Sequence, residues 1–208
     1  MAEVLPAILE KTFEGVFEKC ERLVGACGRA QLDVADGVFV RATSWQDPLR
    51  LSELPGGLLF DVHLMVEKPE QAIKNWDRSS VFRITFHASA TYDVLRTIKI
   101  IKETGKEAGI ALNPEQPVES LHDAMGEVDL VLLLGVEPGG QGREFDPKVI
   151  DKVRKLREYS ANVKIGVDGG VSPLVAPSLI EAGANVLVSG SYLFGVEDIK
   201  QAIASLGG

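Results

Sequence analysis

A (β/α)8 TIM barrel of the α/β class, a single domain over residues 1–208, is the architecture this sequence predicts, and three observations lead there. Short apolar segments of strand length alternate with helical patterns from one end to the other. Strands separated by helices form parallel sheets, because parallel neighbours need a crossover. Eight strand–helix units share the 208 residues, 26 to a unit, close to the minimum for a strand, a helix and two short loops. An open doubly wound sheet usually carries a glycine fingerprint after its first strand, and Pro6-Ala7-Ile8-Leu9-Glu10 has none.

In chain order, strands are expected at 4–9, 30–34, 59–66, 81–87, 108–113, 129–136, 163–168 and 186–189. Two helices are well marked. Residues 91–104 place Val94, Leu95, Ile98 and Ile101 on one face, with Gly105 as the stop. Residues 147–159 repeat that spacing with Val149, Ile150, Val153 and Leu156, behind an Asp146 cap and a proline at the first helical position. Weaker helical patterns follow Thr12, Asp47, Lys68, Gln116, Pro173 and Val196, and residues 40–58 read mostly as loop.

Composition narrows the function. A net charge of −8, 25% charged and 45% hydrophobic residues describe a soluble globular protein, and the acidic balance argues against a nucleic-acid partner. An anionic small molecule stays open, because backbone N–H groups can hold phosphate locally. Cys20 and Cys27 form neither a disulfide framework nor a zinc motif and read as thiols in a reducing compartment. With no signal-peptide pattern and no membrane-length apolar run, a cytoplasmic location is expected.

Alternation along each strand sorts its side chains between lumen and helix layer. Gln31 and Asp33 share one face; so do Asp61, His63 and Met65; so do Thr85 and His87; so do Gly166 and Asp168. These faces oppose the apolar ones, so they line the lumen. Asp33, His63, His87 and Asp168 fall towards the C-terminal strand ends, where barrel enzymes build their sites. A single lumen Asp or His is commonly a satisfied core group. Several together are costly unless paired or bound to metal, and two Asp with one His suit Zn²⁺, Fe²⁺ or Mn²⁺. Asp61, two residues before His63, is expected to position its neighbours or to bond within the core.

Three glycine-rich loops end strands on the same rim: Glu137-Pro138-Gly139-Gly140-Gln141-Gly142, Asp168-Gly169-Gly170-Val171 and Ser189-Gly190-Ser191. Glycines serve tight turns anywhere. Three such loops around one barrel mouth point to a phosphate seat.

Several segments resemble the ribulose-phosphate 3-epimerase family. They are Leu32-Asp33-Val34-Ala35-Asp36-Gly37-Val38-Phe39-Val40, Asp61-Val62-His63-Leu64-Met65-Val66, Ala111-Leu112-Asn113-Pro114, the loop from Val136 to Phe145, Val167-Asp168-Gly169-Gly170-Val171, and Ser189-Gly190-Ser191. They occur in family order across nearly the whole chain. The resemblance implies inversion of carbon 3 of a pentulose 5-phosphate, D-ribulose 5-phosphate to D-xylulose 5-phosphate, through an enediolate. It assigns Asp33 and Asp168 as the two acid/base groups. It also implies one divalent metal ion (Zn, Fe, Mn or Co) on Asp33, His63, Asp168 and, where the family has histidine, Gln31. Gly139, Gly140, Gln141, Gly142, Gly169, Gly170, Gly190 and Ser191 would hold the sugar phosphate, with His87, Met65 and Ala7 completing the pocket. A homo-oligomer is implied as well. Ala7 stands where the family has serine, Ala35 where it has methionine, and Gly140, Gln141, Glu137 and Arg143 alter the sixth loop. Two other readings are compatible with those changes: an epimerase for another ketose phosphate such as a hexulose 6-phosphate, and a sugar-phosphate-binding barrel without turnover.

Overall fold

A computed structural model describes residues 2–140, 142 and 144–207. Eight parallel strands close into a barrel in sequence order: β1 (Glu3–Ile8), β2 (Arg29–Ala35), β3 (Leu59–Met65), β4 (Val81–His87), β5 (Glu107–Leu112), β6 (Leu130–Leu134), β7 (Lys164–Asp168) and β8 (Val186–Ser189). β1 pairs with both β2 and β8, which leaves no edge strand in the barrel. All eight lie within a residue or two of the segments expected from apolar runs, β4 and β8 without any shift.

The α-helices are α1 (Phe13–Leu23), α2 (Pro69–Ala72), α3 (Val94–Glu103), α4 (Lys148–Tyr159), α5 (Ala176–Ala182), α6 (Ser191–Phe194) and α7 (Ile199–Ser205). α3 starts later than residue 91 because the Asp93 carboxylate accepts from the Arg96 N–H at 2.9 Å and caps it. α4 starts at Lys148, with Pro147 as the cap residue and Asp146 Oδ1 accepting the Lys148 N–H at 3.0 Å. Three weaker helices are corrected. After Asp47 and Gln116 the chain forms 3₁₀ turns (Pro48–Glu53 and Val118–Ala124), and α2 runs into another (Ile73–Trp76). Segments of one or two turns gain too few i→i−4 bonds to offset nucleation, so the tighter i→i+3 pattern wins. Among the described residues, no helix is long and apolar enough to cross a membrane.

The main core lies between sheet and helices, where Val62, Ile84, Ile110, Val131 and Ile165 meet Val16, Ile98, Val153 and Leu179, all buried. Cys20 belongs to it, and burial pushes its thiol up to about 12. The lumen is divided. Leu5, Ala7, Ala111, Leu130, Leu132, Leu134, Val186 and Val188 fill one sector with apolar side chains. β2, β3 and β4 fill the other with Gln31, Asp33, Asp61, His63, Arg83, Thr85 and His87, all buried. Low in that sector Asp61 accepts from Arg83 Nε and from the Thr85 hydroxyl, each at 2.8 Å, the core bonding expected of it. Thr85 is accommodated because its β5 neighbour is Gly109: a Cβ there would lie 2.2 Å from Thr85 Oγ1.

Candidate active site

The polar sector opens upward into a pocket at the C-terminal ends of the strands. Asp33, His63 and Asp168 form its floor, with Ala7 and Met65 beside them. Gly139, Gly140, Gly142, Gly169, Gly170, Gly190 and Ser191 line it from the three glycine loops. Gln141 and Arg143 lie outside the described residues. Gln31 and His87 are buried beneath the floor rather than on its surface. Ala35 does not line the pocket itself and packs with Val40 and Met65 in a small apolar cluster.

Strand register sets the floor. Asp33 is the direct partner of His63 across β2 and β3, and period-two alternation turns both inward. Asp33 Oδ1 lies 3.0 Å from His63 Nδ1, and Asp168 Oδ2 lies 3.8 Å from the same nitrogen. Two loops hold this geometry. The Ser44 hydroxyl donates to the Asp33 carbonyl at 2.7 Å and accepts the Ala35 N–H at 2.9 Å. The Asp36 carboxylate accepts N–H groups from Val38, Phe39 and Glu67, joining the loops after β2 and β3.

A second histidine backs the first. His63 and His87 stack with ring centroids 5.0 Å apart, and their Nε2 atoms are 2.9 Å apart. His87 Nδ1 lies 2.7 Å from Asn113 Oδ1. An amide oxygen only accepts, so His87 Nδ1 carries a hydrogen and, in the neutral ring, Nε2 accepts from His63 Nε2–H. His63 Nδ1 is thereby turned on the carboxylates, able to hold a proton or to offer a lone pair. Asn113 was legible only as part of the Ala111-Leu112-Asn113-Pro114 turn; its partnership with His87 depends on β4–β5 register.

Electrostatics separates these groups. Burial raises Asp168 to about 7, helped by the Asp33 charge and opposed by His63, Gln31 and the Gly169 N–H. Burial opposes the His63 imidazolium, yet the hydrogen bond and charge of Asp33, followed by the charge of Asp168, raise its pKa above the ordinary value. His87 is driven well below, by burial and then by the His63 charge. One protonated carboxyl near neutrality beside a second carboxylate is an acid/base arrangement.

The same groups fit a divalent cation. Among the described residues, Asp33, His63 and Asp168 each present one ligand atom, and these atoms lie within 4.8 Å of one another. Gln31 turns its amide nitrogen to these groups, and its Oε1, at the other end of the carboxamide, is buried with no hydrogen-bond partner among the described residues.

Comparison with known proteins agrees with the geometry. The model of the ribulose-phosphate 3-epimerase family matches residues 3–194. The ribulose-phosphate 3-epimerase of Bacillus subtilis is 35% identical over 215 residues, covering 100% of this chain and 99% of that protein. The chloroplastic ribulose-5-phosphate-3-epimerase of Arabidopsis thaliana is 36% identical, covering 98% and 75%. A solved structure of KGPDC from Streptococcus mutans shares the fold, with a TM-score of 0.74, 13% identity and coverage of 99% and 95%. So does 3-hexulose-6-phosphate synthase from Salmonella typhimurium, with a TM-score of 0.70, 15% identity and coverage of 98% and 96%. An eight-stranded barrel with paired aspartates at its mouth, matched along its length by these relatives, belongs to the ribulose-phosphate 3-epimerase family and is an enzyme of the epimerase class.

Proposed function

We propose that the chain inverts carbon 3 of D-ribulose 5-phosphate, giving D-xylulose 5-phosphate, with Asp33 and Asp168 as acid/base groups on opposite faces of the substrate. The observation that carries this reading is the pair itself. Their carboxylates converge on one Gln31 amide nitrogen, at 2.9 and 2.7 Å, beneath the pocket.

The chemistry follows from carbon 3 lying beside a ketone. In one direction Asp33 takes the C3 proton and Asp168, held protonated near neutrality by burial, returns a proton to the other face. Each turnover leaves the proton on the opposite carboxyl, so the reverse reaction exchanges the roles. Asp33, His63, Asp168 and Gln31 would hold the divalent ion, which supplies Lewis-acid stabilisation of the enediolate oxygens. His87 and Asn113 hold the His63 ring in place from behind. Main-chain N–H groups around Gly169, Gly170, Gly190 and Ser191 form the phosphate seat, where the glycines allow close approach.

The test is isotopic. Ribulose 5-phosphate incubated with the enzyme and Zn²⁺ or Mn²⁺ in D₂O is expected to acquire deuterium at C3 while xylulose 5-phosphate accumulates, both followed by NMR. Neither exchange nor product with any divalent ion would refute the reading. Ala7 and Gly140 on the pocket wall favour a second, a roomier site for a longer ketose phosphate. Faster C3 exchange on a hexulose 6-phosphate than on ribulose 5-phosphate would select it.

A further inference from the structure

Gln31 leaves β2 on the lumen face and is fully buried. Its amide nitrogen lies 2.9 Å from Asp33 Oδ1, 2.7 Å from Asp168 Oδ2 and 3.4 Å from His63 Nδ1. Those three residues form the converging ligand cluster, so an NH₂ group stands among the side chains suited to a cation. An amide nitrogen is a donor with no lone pair to give. The other end of the same carboxamide, Oε1, is buried without a hydrogen-bond partner among the described residues.

We infer that Gln31 is a two-ended switch: its NH₂ turned inward ties Asp33 to Asp168, and a half-turn presents Oε1 as a fourth donor to a divalent cation on Asp33, His63 and Asp168. This rests on the proposed reading of those three residues as cation ligands. The chemistry of both ends supports it. Carboxylates only accept, so the N–H end faces them; a cation takes only lone pairs, so the oxygen must face it. The terminal torsion of glutamine is broad and roughly two-fold, so the exchange needs no movement of β2. Two consequences follow. The carboxylates are held in register before a cation arrives, and its entry breaks two hydrogen bonds that a histidine at this position would not necessarily make.

The experiment is Zn²⁺ titration of the metal-stripped protein, with affinity read by chelator competition and the Gln31 side-chain NH₂ signals read by ¹⁵N–¹H NMR. Saturating Zn²⁺ is expected to move those signals upfield as the hydrogens leave the carboxylates. Gln31→Leu is expected to weaken Zn²⁺ binding about tenfold or more, and Gln31→His to tighten it by a similar factor. Leucine binding as tightly as the wild type, or NH₂ signals unmoved at saturation, overturns the switch while the cation reading stands. Failure of both the wild type and Gln31→His to bind Zn²⁺ overturns the cation reading and the switch with it. Should Gln31→Leu not fold, the wild-type NMR signals decide.

Discussion

Two carboxylate sites share the lumen, one below the other, and they are solved oppositely. Asp61 is met by a buried guanidinium, Arg83, and by the Thr85 hydroxyl, so its charge is neutralised and its oxygens are bonded. Arg83 also reaches Glu107 at 3.2 Å, extending the network to the lower rim. Asp33 and Asp168 have no Arg or Lys among their bonded partners within the described residues; a histidine and a neutral amide stand in. In the lower site both Asp61 oxygens are bonded, only Arg83 Nη2 being buried without a hydrogen-bond partner among the described residues, and the pair supports the barrel. In the upper one, charge demand is left over, which suits it to the cation and proton chemistry proposed above.

Substitution should separate the two. Asp33→Asn and Asp168→Asn are each expected to reduce epimerase turnover by about 10²–10⁴-fold, measured by coupled assay, while the unfolding midpoint is held or raised. Asp61→Asn is expected to do the reverse. It leaves Arg83 buried beside a neutral partner and costs roughly 3–5 kcal/mol of stability, read by urea denaturation, with turnover per folded molecule preserved. Equal effects from both classes would erase the distinction.

A smaller effect is expected with pH. The Asp168 pKa of about 7 lies above its ordinary 3.8, so the native state holds that proton more tightly than the unfolded chain. Its contribution to stability is complete below 3.8 and is lost as pH rises through 7; His63, also raised, acts in the same sense. In chelator, wild-type stability should therefore fall between about pH 4 and 7, and Asp168→Asn should flatten that slope. Gly109→Ala is the mildest change, about 1–3 kcal/mol of overpacking, because Thr85 is held by Asp61 and cannot give way. It should weaken the lower site and spare the upper one, as urea denaturation and the coupled assay would show.

Much of this was legible in the sequence because a strand has a period of two. Asp33, His63 and Asp168 could be placed on lumen faces from alternation alone, and the glycine loops on the rim from the strand ends. Arg83 was not singled out: a charged residue near the start of a strand gives no sign of burial until its partner on β3 is known. The short segments after Asp47 and Gln116 carry too little pattern to distinguish 3₁₀ from α geometry. Nor could the place of the Gln31 amide be foreseen, since it depends on side-chain torsions and on a carboxylate 137 residues away.

The glycine rim has an evolutionary corollary. Gly169 and Gly170 hold φ of +101° and +70°, and a Cβ on either would lie within 2.5–2.7 Å of Val136 or Phe145. Gly139 is blocked in the same way by Val40 at 2.8 Å. Those three positions resist gradual mutation, since the smallest addition already collides. On the proposed reading, a descendant that came to prefer a different sugar would change on the walls that carry exchangeable side chains, at Ala7, Leu9 and Met65, while the glycine rim passed on unaltered.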